Sequence, residues 1–164
     1  NLSEAIEHAQ GTFDLSVRIG DSRSQCSSYL WARATNGNLP LDELKSCYSP
    51  TPEDIISTIN AIKADSLWHL AQGRAEEAVS ELERAWDLAK KNVVIMTHTV
   101  ASLPLLVNAL RVHADAVEAE DQRQSQQLRK RALRLAKRTA WVTRFFPSEP
   151  LRASICAARV EFGA

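Results

Sequence analysis

Four histidines, His8, His69, His98 and His113, are the side chains best suited to metal binding or proton transfer. They fall on four different helical segments, and no H-E-x-x-H or other pair sits at the i, i+4 spacing that lets one helix face grip a metal. His69 follows Trp68 and lies one turn after Asp65, a spacing that permits a local hydrogen bond and reads as structural. Glu76, Glu77, Glu81 and Glu83 form an acidic run. General acid catalysis needs carboxylates held in unlike environments within a pocket, whereas helical phase projects these four from a solvated face. Ser, His and Cys occur without a constellation, and G-x-S-x-G, G-x-x-x-x-G-K and G-x-G-x-x-G are all absent. The residues thus predict no enzyme, no cofactor and no metal.

The strongest charge feature is basic: Arg123, Arg129, Lys130, Arg131, Arg134, Lys137, Arg138 and Arg144 occupy one long helical segment. Single-stranded nucleic acid is held by aromatic rings interleaved with cations, but Trp141, Phe145 and Phe146 cluster only at the segment's end. Arg123, Lys130, Arg134, Lys137 and Arg138 are therefore read as a basic face, solvated or turned toward an acidic protein, with nucleic acid a third option. Overall the 20 Lys and Arg balance 20 Asp and Glu, which gives no general field toward polyanions. The distribution is polar along the chain. Residues 1–88 hold 14 acids and 7 bases, a net of −7, and residues 89–164 hold 6 acids and 13 bases, a net of +7.

The elements that carry these residues all have helical period, and no alternating run flanked by turn residues suggests a strand. Ser3 caps a first helix with Phe13 and Val17 on its inner face, ended by Gly20-Asp21. Further helices are predicted over about residues 22–35 and 39–48, with a break at Asn36-Gly37-Asn38. Thr51 and Pro52 fit the N-cap and first position of a long helix, Gly73 turns it, and a return helix buries Ala75, Ala78, Leu82, Ala85 and Leu88 or Ala89. The stretch 93–119 restarts near Ser102-Leu103-Pro104, and residues 122–145 form the basic helix with Leu128, Ala132, Leu135, Ala136 and Val142 as its seam. Trp31, Trp68, Trp86 and Trp141 lie on four helices as packing wedges.

At 164 residues, 45% hydrophobic and 24% charged, the chain fits one globular domain that needs no staple. Cys26, Cys47 and Cys156 form no disulfide or zinc pattern, which points to a reducing, cytoplasmic setting. His98, Pro104 and Asn108 interrupt the longest apolar stretch, so no membrane span is expected. The absence of an initiator Met and a helix that starts near residue 151 suggest a fragment of a larger protein.

Residues 58–91 resemble a tetratricopeptide repeat: Ser66 takes its small-residue position, Ala78 and Ala85 its two alanines, and Leu82 its large apolar position. The turn glycines Gly37 and Gly73 stand 73 − 37 = 36 apart, near that family's period of about 34. Ile62, Asp65 and His69 depart from the pattern. Ile19-Gly20-Asp21 with residues 29–34 is similar to the degenerate helical repeats of large bacterial signalling proteins. The resemblance implies an all-α, right-handed stack of antiparallel hairpins, a tetratricopeptide-like α-solenoid with hairpins near 1–48, 52–91 and 93–146 and a partial repeat at 151–164. It implies a non-catalytic scaffold or regulatory module that binds a protein, a peptide or other domains of its parent chain. The groove would be lined by the first helix of each hairpin, with Trp31, Lys63, Leu67, Asn108 and Arg111 as contacts. The rival readings are an unrelated helical bundle and, for function, a small-molecule sensor with a cavity between hairpins near Trp68 and residues 93–110.

Overall fold

A computed structural model describes residues 2–21, 54–95, 97–143 and 145. It contains α1 (Leu2–Ile19), α2 (Ile55–Ala71), α3 (Ala75–Lys91), α4 (Thr97–Val100), α5 (Ser102–Val117) and α6 (Gln122–Thr143), and no strand among the described residues. The chain is all-α. The helices expected over 22–35 and 39–48, the Gly37 break, Trp31 and the partial repeat at 151–164 lie outside the described residues.

Helix ends follow from local chemistry. Asp54 caps α2, its Oδ1 accepting from the Ser57 N–H at 3.1 Å and its Oδ2 from the Ser57 hydroxyl at 2.7 Å. The expected cap at Thr51 is thus corrected: the carboxylate three residues on supplies the acceptor that the orphan amides of the first turn need. Asp121 does the same for α6, accepting from the Gln124 N–H at 2.9 Å. At the far end of α2, the Arg74 N–H donates to His69 O at 2.9 Å and the Gly73 N–H to Leu70 O at 3.1 Å, with Gly73 at φ +73°. That is the Schellman closure, which requires a left-handed residue at its centre. α3 closes identically, Val94 N–H to Ala89 O at 2.9 Å and Val93 N–H to Lys90 O at 3.2 Å, but the left-handed residue is Val93 at φ +55°.

Three residues separate α2 from α3, and the two helices pack side by side; α5 and α6 repeat this arrangement across residues 118–121, and α3 packs on α5. One cluster joins Ile59, Ile62, Ala85, Trp86, Ala89, Val100 and Leu103. A second joins Ala78, Val79, Leu82, Leu106, Ala109, Leu110 and Ala132. α3 lies between two neighbours, and its alanines at 75, 78, 85 and 89 are all buried, small enough to let those helices approach closely. Two buried hydroxyls satisfy themselves on carbonyls one turn back: Ser66 donates to Ile62 O at 2.7 Å and Ser102 to Thr99 O at 2.6 Å.

The break at residue 101 between α4 and α5 places Pro104 in the first turn of α5, where its missing N–H leaves no gap in the ladder. Residues 93–95, expected to be helical, are not, because the closure at Val93 has already ended α3 and turned the chain. In α1 the shielded line runs through Ala9, Phe13 and Ser16; Val17 stands at its margin and is exposed, as are Leu15 and Ile19.

The helix pairs recur at 102 − 55 = 47 and 122 − 75 = 47 residues. Positions 47 apart are buried in both pairs: Ile59 and Leu106, Ile62 and Ala109, Ala78 and Ser125, Ala85 and Ala132. The spacing of 36 read from the glycines does not relate the two described pairs, because residues 92–101, with the short α4, lengthen the connection.

Candidate binding trough

The basic residues of α6 divide by helical phase. Arg131, Arg134 and Arg138, at i, i+3 and i+7, share one flank with Leu135. Arg129 lies on the opposite flank, where it meets Asp115 at 3.0 Å and Glu118 at 2.9 Å. Arg123, Lys130 and Lys137 are exposed.

The Arg131, Arg134 and Arg138 flank faces α3 across a trough of about 450 Å³. Glu83, Trp86, Asp87 and Lys90 form the α3 wall, and Leu106 of α5 lies in the floor. Trp86 is 9% exposed; its ring packs in the core and little of it reaches the trough. The rims carry two internal ion pairs, Arg131 with Glu83 and Lys90 with Asp87 at 2.7 Å. Arg134 and Arg138 have no carboxylate partner among the described residues, so two positive charges face the open trough without compensation.

The first-helix candidates lie elsewhere. Lys63 is 3% exposed and belongs to the interior, and Leu67 is half-buried. Asn108 and Arg111 do come together, Arg111 donating to Asn108 Oδ1 at 3.2 Å and to Asp115 Oδ2 at 3.1 Å, but this joins them to the Arg129, Asp115 and Glu118 network. The trough is instead built by the second helices of the two pairs. Of the basic-face candidates, Arg134 and Arg138 line it. Glu83, expected on a solvated face, is engaged by Arg131; Glu81 pairs with Arg84 at 2.9 Å, while Glu76 and Glu77 are exposed.

The histidines remain dispersed. His8 is exposed, His69 stands edge-on to Trp68 at 5.4 Å with its Nδ1 making no hydrogen bond, and His113 is buried in α5. The side chain of His98 lies outside the described ones. Arg74 lies over the Trp68 ring, its guanidinium carbon 4.3 Å from the centroid. Among the described residues no group of three or more His, Cys, Asp or Glu side chains is placed to hold a metal, and no helix is long and apolar enough to cross a membrane.

The sequence carried the i, i+3, i+7 arginines openly. It did not carry their pairing with Trp86 and Lys90, which depends on how α3 and α6 sit across α5. Compared with family models, curated proteins and solved structures, the chain matches none.

Proposed function

We propose that the chain is a helical-hairpin scaffold, stacked in the tetratricopeptide-like manner, that binds a protein or peptide without catalysis and serves as a regulatory module of a larger signalling protein. The observation that carries the reading is the open trough between α3 and α6, lined by Trp86, Leu106 and Leu135 with charged rims. Surfaces that bind peptide helices join a narrow apolar strip to polar edges in this way, and Trp and Arg are the residues that most often dominate such contacts.

The stacked reading is supported by the 47-residue recurrence and by the burial of Ser66, Ala78, Leu82 and Ala85 at the positions where the repeat family places its small and apolar residues. A period of 47 is long for a 34-residue repeat and falls near the upper end of two-helix repeats, about 40–47.

An immobilised array of acidic, neutral and basic peptides, probed with the purified chain, tests the reading. Retention of a defined subset at micromolar affinity is expected. Failure to hold any member, or turnover of a substrate abolished by a single pocket substitution, overturns it. The sensor reading keeps one supporting observation, a trough volume inside the range of about 300–1,000 Å³ typical of small-molecule sites. A thermal-shift screen with small anionic and apolar compounds separates the two, since a ligand raises the melting temperature only if it binds the folded state.

A further inference from the structure

The geometry points to an acidic helical segment of a partner protein as the occupant of the trough, seated with two carboxylates on Arg134 and Arg138; this rests on the scaffold reading above.

Three observations carry it. First, Arg134 and Arg138 are four positions apart on one helix, hence about 6 Å apart along its axis. Carboxylates four positions apart on a partner helix have the same separation, so each meets one guanidinium in a charge-assisted contact. Second, the molecule already makes this contact with itself: α3 lays the Glu83 carboxylate on Arg131, the first member of the same arginine row. A carboxylate borne on a helix beside α6 thus already pairs with this row, and the next two positions continue it. Third, the opposite rim gives a ligand little to oppose it. Asp87 is held by Lys90 and Glu83 by Arg131, which leaves the trough with a positive excess from Arg134 and Arg138.

The floor adds direction more than area. Trp86 and Leu106 are almost fully buried, so the apolar strip accommodates one aliphatic side chain placed between the two acids. Because charge carries most of the contact, binding weakens steeply with salt. Nucleic acid fits the same surface less well: Trp86, the one ring in the lining, is 9% exposed and offers little face for base stacking, and Glu83 and Asp87 stand on the facing wall.

The test is fluorescence anisotropy with the full chain. The probes are a labelled helix-forming peptide with two Glu four positions apart and Leu between them, its Gln and Lys counterparts, and a labelled single-stranded DNA. The Glu peptide is expected to bind at least about tenfold tighter than the Gln peptide. Arg134→Glu with Arg138→Glu should remove that preference and transfer it to the Lys peptide. Both arginines are exposed, so the double variant should keep its fold by circular dichroism, and Arg134→Gln with Arg138→Gln provides a milder second variant. Equal binding of Glu and Gln peptides, Glu-peptide binding indifferent to both variants, or DNA bound tighter than the Glu peptide and lost in the same variants, each overturns the assignment. If the array retains peptides that ignore Arg134 and Arg138, this inference falls and the scaffold reading stands. If no peptide of any composition is retained, both fall.

Discussion

Leu82 and Val93 stand at opposite ends of exposure among the described large hydrophobic side chains. Leu82 is 0% exposed and sits where α3 meets α5, among Val79, Leu106, Leu110 and Ala132. Leu82→Ala leaves a cavity that these neighbours cannot close, and chemical denaturation should show a loss of about 2–5 kcal/mol. Val93 is 82% exposed, so its side chain contributes little burial, yet its backbone is left-handed. A β-branched residue is strained there, whereas Asn tolerates the conformation and preserves the amide bonds to Lys90 and Ala89. Val93→Asn should therefore raise stability by about 0.5–1 kcal/mol in the same assay, and a loss would show that Val93 is held by something other than this closure. Residues of the first kind were readable from spacing, since Leu82 falls on the apolar seam of its helix. Val93 was not, because nothing in a valine announces a left-handed turn; only the hydrogen bonds reveal that it does what Gly73 does.

Among elements, the hairpin of α2 and α3 was the most legible because its signals agree: an apolar seam, a glycine at the turn and acids in the first turn of α3. The start of α2 was misplaced by three residues, since Thr51-Pro52 and Asp54 are both chemically competent caps and only the geometry of Ser57 decides between them. Asp54→Ala should cost about 1 kcal/mol, and Thr51→Ala much less, by thermal or urea unfolding. Equal costs would reject the assignment. The candidate site divided the same way. Arg134 and Arg138 were recognisable from one helix alone, while the α3 wall that completes the trough required knowing which face of α3 remains free once α2 and α5 are packed on it. Lys63 shows the converse: a lysine on a first helix suggests a groove contact, but α2 is covered on more than one side and takes it inside.

The whole molecule distributes its stability unevenly. α3 is packed on both sides, whereas α6, among its described side chains, buries only Ser125, Ala132 and Thr139 fully and leaves its charged flanks to solvent. Hydrogen exchange should find the slowest amides in α3 near residues 82–89, with those of α6 opening earlier; the reverse order would mean that α6 is covered in solution by something bound. The 47-residue offset also has a consequence for growth. In the stacked arrangement proposed above, each unit would offer its outer face to the next. α3 receives α5 through Val79 and Leu82, and the corresponding positions on α6 are Gln126 and Arg129, both exposed. Burying the two apolar side chains gains about 1.5–3 kcal/mol each, while burying the polar pair gains nothing comparable. At these two positions α6 therefore offers less apolar area to a unit adding as α5 adds to α3 than α3 itself offers α5.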